Sequence, residues 1–100
     1  MNTQTAQTYY RGIKFILFEL EDELSTRTGY TINEYKIILN KIDNCDASNL
    51  VFNEEENIMI SQMFNEICNG INIPEFSSEI GVSKKEARVM LEEIFQKINK

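Results

Sequence analysis

The sequence predicts an all-α domain of about five helices, and three observations support this fold class. Its 100 residues fit a single compact domain. Apolar residues recur at helical spacing along most of the chain. One Pro and four Gly are too few for the many turns of a β-rich fold. A hydrophobic fraction of 42 %, with 14 Ile, also excludes a disordered acidic tail. We therefore expect residues 1–100 to fold as one domain.

The first helix is predicted to run from about Tyr9 to Ser25. One face of it follows the i, i+3, i+4, i+7 spacing through Ile13, Ile16, Leu17, Leu20 and Leu24. Phe15 and Phe18 fall outside that face and give the helix a second apolar side. A helix with two apolar sides needs two buried surroundings, so we expect a second copy of the chain to cover one of them. The predicted anchors of this dimer interface are Tyr9, Tyr10, Phe15 and Phe18.

Two further helices are predicted by capping boxes. In a capping box the N-cap side chain accepts a hydrogen bond from the amide three residues on, and a Glu there reaches back to the N-cap amide. Thr31 and Glu34 have this spacing and open the second helix. Asn53 and Glu56 have it as well, and they open a third helix whose early carboxylates suit the positive end of the helix dipole.

The chain divides near residue 52 into two parts of one domain. Residues 1–52 form an N-terminal helical part suited to dimerisation, and residues 53–100 hold the last three helices. Just before the division, residues 50–52 are apolar and short. They are consistent either with a strand stub or with a hydrophobic lead into the third helix, and both interpretations stay open here.

The C-terminal part predicts a helix-turn-helix. Pro74 suits the first turn of a short helix, and Gly81 suits the tight turn that ends it, because glycine tolerates a positive φ. Ser83 and Glu86 form a third capping box, which opens the final helix. A short helix, a glycine turn and a capped second helix make a helix-turn-helix. The sequence ends at Lys100, so we expect a wingless version.

Residues 76–91 resemble the helix-turn-helix of bacterial transcription regulators. Their sequence is Phe-Ser-Ser-Glu-Ile-Gly-Val-Ser-Lys-Lys-Glu-Ala-Arg-Val-Met-Leu. With the helix that follows Asn53 and the closing residues 94–98, the arrangement is similar to the four-helix versions in LuxR-type effector domains and in sigma-factor region four. The resemblance covers about half of the chain and leaves residues 1–52 unmatched. It implies that the last helix enters the major groove of double-stranded DNA.

The resemblance also implies which residues meet the DNA. Lys84 and Lys85 would contact phosphates, and Arg88 could form a bidentate contact to guanine. The alternative is a solvated helix face in which Arg88 pairs with Glu92 one turn on. The full set of expected DNA contacts is Ser77, Ser78, Ser83, Lys84, Lys85 and Arg88.

The net charge of −6 and the pI near 4.6 are a poor match to a simple basic nucleic-acid binder. Residues 73–100, however, hold five acids and five bases, so the whole −6 lies in residues 1–72. A domain polarised in this way can turn a basic end to DNA and its acidic end elsewhere. A dimer would double the phosphate contacts that one chain provides.

Catalytic, cofactor and metal sites are not predicted. The chain has no His, no glycine-rich phosphate loop and no HExxH motif. The segment from Asp43 to Asp46 lacks the spacing of a calcium-binding loop. Cys45 and Cys68 belong to no CxxC pattern and are expected to be free thiols in a reducing compartment. We expect a protein that is not an enzyme, with no cofactor.

Two functions remain open from the sequence. The first is a small DNA-binding protein, either a dimeric transcription regulator or an accessory factor of a plasmid or phage; abundant Asn, Ile, Lys and Glu are typical of A/T-rich genomes. The second is an acidic protein-binding module, such as a phage or plasmid antagonist, that kept the helix-turn-helix as a scaffold. Its partner would meet the acidic N-terminal part. The N-terminus does not resemble a signal peptide and the longest apolar run is far below the ~20 residues of a membrane span, so we expect a soluble cytoplasmic protein.

Overall fold

Helices make up the regular structure of residues 1–98, the part of the chain that the computed structural model describes. Six α-helical segments occur there: α1 (Thr3–Leu20), α2 (Leu24–Thr28), α3 (Ile32–Asp43), α4 (Glu54–Asn65), α5 (Phe76–Ile80) and α6 (Lys84–Ile98). A 3-10 turn joins α1 directly to α2, so the segments form five helical stretches. No strand occurs in the described residues. The predicted all-α class is confirmed.

The start of α1 lies earlier than the sequence predicts. The Asn2 side chain accepts a hydrogen bond from the Thr5 amide at 2.7 Å, so the helix begins at Thr3 and not near Tyr9. The six residues before Tyr9 are mainly polar and carry no apolar period, which is why periodicity alone missed this first part of the helix.

The end of α1 also differs from the prediction. The helix stops at Leu20, five residues before Ser25, because Glu21 takes a φ of 40° and a ψ of −110°. A 3-10 turn of three carboxylates follows, and α2 then continues to Thr28. Carboxylates at this position oppose the helix dipole, and a positive φ is strained for a residue with a Cβ.

All three predicted capping boxes form. In each one the N-cap oxygen accepts from the amide three residues on, at 2.8 to 3.2 Å, and the glutamate there accepts from the N-cap amide. These boxes pair Thr31 with Glu34, Asn53 with Glu56, and Ser83 with Glu86. The side-chain bonds satisfy amides at the helix starts that have no partner within the helix.

Residues 50–52 form an extended lead into α4, so the strand stub is not observed. Leu50 and Phe52 are buried whereas Val51 is 74 % exposed, which is the alternation of an extended segment. The Phe52 ring lies 5.9 Å from the ring of Tyr9 in α1. No second strand of residues 1–98 lies beside the segment; the Leu50 amide donates to the Ala47 carbonyl, and the Asn57 side chain donates to the Phe52 carbonyl.

The core is built around α4. Gly12 in α1 has no Cβ where α1 crosses this helix, and a Cβ there would overlap the sulfur of Met63. The Tyr9 ring meets Phe64 edge to face at 5.6 Å between centroids. From the other side, the Tyr35 hydroxyl of α3 donates to the Met59 carbonyl at 2.7 Å. Apolar residues from both halves of the chain therefore share one core.

A π-helical turn, Glu66–Gly70, ends the α4 stretch and holds a nearly buried ion pair. The Glu66 Oε1 atom lies 2.6 Å from Arg27 Nε, in ion-pair contact without the alignment of a hydrogen bond. The same guanidinium donates to the Gly70 carbonyl at 3.0 Å. A Cβ on Gly70 would come within 2.8 Å of both side chains, so glycine leaves room for the pair. This contact ties α2 to the end of α4.

Candidate nucleic-acid interface

The segment from α5 to α6 has the helix–turn–helix arrangement that the sequence predicts. Gly81 ends α5 with a φ of 97°, and its amide donates to the Ser77 carbonyl at 2.9 Å. The side chains between the helices, Ile80, Val82 and Ala87, are buried. Ala87 is fully buried in the first turn of α6, and α6 packs mainly against α4.

The six residues predicted to meet DNA all lie at the surface. Five are exposed, and Ser83 is half-buried because it caps α6. The three bases among them form no ion pair with any residue in 1–98, and the alternative pair of Arg88 with Glu92 is not formed there. The exposed residues are Ser77, Ser78, Lys84, Lys85 and Arg88.

The bases are distributed around two sides of the α6 start. Lys85 lines a cleft together with Gln4 and Thr8 of α1. Lys84 and Arg88 are one turn apart and lie on the side of the buried Cys68. Burial raises the pKa of the Cys68 thiol, and the positive charges of Arg88 and Lys84 act against that rise. The start of α6 therefore presents positive charge over a broad arc.

One base beside the turn was missed by the sequence analysis. Arg11 of α1 lies against Gly81, where an added Cβ would be 3.2 Å from the guanidinium Nη1. Gln4 and Gln7 of α1 line the same small cleft. Seventy residues of chain separate Arg11 from Gly81, and no spacing rule connects them. Counting charge by segment placed this base in the acidic part of the chain.

Carboxylates also lie close to the α6 start. Glu86 is engaged by the capping box, where it accepts from the Ser83 amide at 3.3 Å. Glu93 lines the Lys85 cleft and contributes to raising the pKa of buried Tyr9 to about 12, although burial is the larger cause. Any ligand at this surface must therefore fit alternating charge, which favours contacts at defined points over simple attraction to a basic patch.

The residues predicted as dimer anchors have different surroundings. Tyr9 is 3 % exposed and belongs to the core, so it is not at the surface and this member of the set is corrected. Tyr10 and Phe15 are half-buried, and Phe18 is 76 % exposed. The last three border an open cleft of about 500 Å³, called here the Phe18 cleft, whose lining is Tyr10, Arg11, Lys14, Phe15, Phe18, Glu19 and Glu79.

Other candidate sites are sparse in the part of the chain that the structure describes. No group of three His, Cys, Asp or Glu side chains in residues 1–98 is placed to hold a metal ion. Cys45 is exposed, Cys68 is buried, and the two are not bonded to each other. No helix of these residues has both the length and the apolar character to cross a membrane.

Comparisons of this chain with protein-family models, with curated proteins and with solved structures found no match. The geometry of the α5–α6 segment and the sequence resemblance of residues 76–91 are the features that indicate a function. Both concern the same surface, formed by the turn at Gly81 and the start of α6.

Proposed function

We propose that this protein is a small DNA-binding protein that acts as a dimer, either as a transcription regulator or as an accessory factor of a plasmid or phage. The observation that carries the proposal is the capped start of α6. It follows a glycine turn and exposes Lys84, Lys85 and Arg88 without an ion pair to any residue in 1–98. The resemblance to the helix-turn-helix of LuxR-type effector domains and sigma-factor region four supports the same use.

In this proposal the first turns of α6 enter the major groove, which is about 12 Å wide and admits one helix. Arg88 is one turn inside the helix and reaches a guanine edge through two parallel hydrogen bonds. Lys84 and Lys85 lie at the helix start and contact phosphates on either side of the groove. Ser77 and Ser78 of α5 are exposed and donate to the backbone from the preceding helix.

The proposed dimer forms through the Phe18 cleft, and the occupant is a second copy of the chain. Lys14 and Glu19 border the cleft five residues, or about one and a half turns, apart with Phe18 between them in the sequence. A two-fold axis near Phe18 brings Lys14 of one chain to Glu19 of the other, and the reverse contact follows by symmetry. Lys14 forms no ion pair within residues 1–98 and lies 5.4 Å from the centre of the Tyr10 ring. Phe15 and Phe18 supply the apolar contact.

The DNA proposal is tested by titrating the protein with DNA from its own genomic neighbourhood at several salt concentrations. We expect the double variant Lys84→Ala/Arg88→Ala to lose at least about 30-fold in affinity, because two charge-assisted contacts disappear. The matched control is Lys36→Ala, which removes one exposed positive charge on α3. A wild-type chain that is folded by circular dichroism and binds no DNA at low salt contradicts the proposal.

The dimer is tested by sedimentation of Phe18→Asp. We expect this variant to be monomeric and to bind DNA about 100-fold more weakly, because two linked reading heads gain by effective concentration. Val51→Asp is the matched control, since Val51 is equally exposed at 74 % and lies outside the cleft. A wild-type chain that is monomeric at tens of micromolar, or a Phe18→Asp variant that still dimerises, rejects this interface.

The protein-binding module remains a second candidate, because two carboxylates border the Phe18 cleft beside its apolar side chains. Glu19 and Glu79 border the cleft, and both also border a smaller cleft with Glu75. A basic amphipathic helix would place its apolar side on Phe18 and its bases against these carboxylates. The module predicts that Phe18→Asp abolishes binding to a basic helical peptide while Lys84→Ala/Arg88→Ala leaves it unchanged. The DNA-binding proposal predicts the opposite sensitivity for DNA.

A further inference from the structure

The side of α1 that faces the turn carries a row of hydrogen-bond donors that the proposed function does not use. Gln4, Gln7 and Arg11 are spaced by three and four residues and therefore share one face of α1. Together with Thr8 they line a shallow cleft against Ile80 and Gly81. This row is called here the α1 strip and consists of Gln4, Gln7 and Arg11.

The chemistry of the strip suits an anionic oxygen. Its cleft against Gly81 has no carboxylate among the described lining residues, whereas the cleft beside Lys85 contains Glu86 and Glu93. On their other side, Gln7 and Arg11 line a cleft with Asp43 and Asp46, and Arg11 also borders the Phe18 cleft. Arg11 is exposed and forms no ion pair with any residue in 1–98. Its guanidinium has a rigid planar fork of donors that matches phosphate geometry. The two amides add neutral donors, which commonly contact the DNA backbone.

The position of the strip joins it to the start of α6. Gln4 and Thr8 line the Arg11 cleft and also the Lys85 cleft, so the two clefts adjoin and the two bases lie on either side of these residues. Gly81 lies between the helices without a Cβ, which allows the Arg11 side chain to rest beside the turn. A ligand that spans the two clefts can therefore contact Lys85 and Arg11 together.

We propose that the α1 strip is a second DNA-backbone contact, in which Arg11 holds a phosphate adjacent to those held at the start of α6. This inference rests on the proposed DNA binding. It assigns a role at the interface to residues of the N-terminal half, for which the sequence offered only dimerisation. The strip contacts phosphate and not base edges, so its contribution is independent of DNA sequence.

The test is the salt dependence of DNA binding by Arg11→Ala. Each phosphate contact contributes about 0.9 to the slope of log affinity against log salt concentration. We expect Arg11→Ala to reduce the slope by about one and to weaken specific and unrelated DNA by a similar factor, about tenfold near 0.1 M salt. Arg11→Lys should restore the slope because it restores the charge. Gln7→Ala should weaken binding to both DNAs without changing the slope.

Lys36→Ala is the control, because it removes the same charge from α3. Suppose that the wild-type chain binds DNA and that Lys84→Ala/Arg88→Ala weakens this binding. If Arg11→Ala then has no more effect than Lys36→Ala, the backbone contact of the α1 strip is rejected and the proposed function stands. If the folded wild-type chain binds no DNA at low salt, both proposals fall together. A loss confined to one DNA sequence would make Arg11 a base contact and would also overturn the backbone assignment.

Discussion

At its N-terminal half α1 runs beside the turn that precedes α6, and at its C-terminus it meets a 3-10 turn of three acidic residues. The first region, called here the turn end, is formed by the α1 strip and Gly81. The second, called the acidic end, is formed by Glu19 and residues 21–23. One helix thus carries a row of donors beside the turn and a run of carboxylates at its C-terminus.

The two ends also differ in how the helix is terminated. At the turn end, the Asn2 side chain caps the helix with a 2.7 Å bond from the Thr5 amide. At the acidic end, α1 stops at Glu21 in a strained conformation, and the carboxylates there oppose the helix dipole. Along α1, the well-capped end and the end that carries the carboxylates are therefore different ends. The acidic end is flanked by Leu20 and Leu24, which are buried in the core, and Arg27 of α2 pairs with Glu23 at 3.9 Å and with Glu66 at 2.6 Å.

The largest expected effect comes from removing the pair of Arg27 with Glu66, which loosens α2 beside the acidic end and also the π-helical turn after α4. Arg27→Ala leaves Glu66 nearly buried and without its partner, and the Gly70 carbonyl also loses a donor. Loss of one partner of a buried pair costs about 3–5 kcal/mol, and the one-third exposure of Arg27 reduces our expectation to about 2–3 kcal/mol in urea unfolding. The double variant Arg27→Ala/Glu66→Gln should recover part of this, because Gln needs no counter-charge. A loss below about 0.5 kcal/mol would show that solvent already screens the pair.

The second-largest effect is expected from Gly12→Val. A side chain at this position pushes α1 away from α4 and so displaces both ends of α1. Gly12→Val places a side chain where the Met63 sulfur lies, and overpacking of a core costs about 1–3 kcal/mol. The free energy of unfolding measures the change. In a double-mutant cycle with Met63→Ala, the two costs should sum to more than the cost of the double variant. Strict additivity would rule out the overlap as the cause.

The third effect is a loss of stability at alkaline pH, which depends on the burial of Tyr9 in the N-terminal half of α1. Burial, and to a smaller extent the charge of Glu93, raises the pKa of Tyr9 to about 12 from 10.0. Between these values the unfolded chain has lost the Tyr9 proton while the folded chain keeps it. Stability is therefore full below pH 10 and falls as the pH rises toward 12, by about 1–2 kcal/mol from this residue. Tyr9→Phe should reduce the dependence in urea unfolding at pH 9 and 11.5, and the remainder comes from Tyr35, whose pKa is also raised by burial; an unchanged slope would contradict it.

The smallest effect is expected from relieving the backbone strain of Glu21 at the acidic end. Glu21 has the only positive φ among the non-glycine residues in 1–98. Glu21→Gly should raise the free energy of unfolding by about 0.5–1 kcal/mol, since relief of strain exceeds the entropic cost of glycine. Glu21→Ala is the control, because it removes the same charge and keeps the strain. Equal gains from Gly and Ala would assign the effect to charge alone.

The sequence was most informative where structure is decided locally. The boxes at Thr31, Asn53 and Ser83 depend on a side chain and an amide three residues apart, so their spacing alone located three helix starts. The end of α5 at Gly81 was equally local, because a positive φ selects glycine. These features locate three helix starts and the turn that precedes α6.

Features that depend on contacts distant in the chain could not be read in this way. The place of Arg11 beside Gly81 depends on how α1 crosses α4, which in turn depends on the missing Cβ of Gly12. The burial of Tyr9 has the same origin, because its ring fills the space toward Phe64. An apolar ring on a helix surface and one in a core look alike in a sequence. The exposure of Phe18 was anticipated because it falls outside the periodic face.

The two cysteines differ in accessibility, and the rates at which they react therefore report on local opening of the folded chain. Cys45 is exposed, whereas Cys68 is buried and burial raises the pKa of its thiol. An alkylating reagent at mild pH should consume one thiol per folded chain rapidly and the second only when the π-helical turn opens. The rate of the slow reaction, read by intact mass, measures how often that opening occurs without any denaturant. The fast thiol, on the loop after α3, accepts a fluorophore or spin label at a single defined position without a change to the sequence.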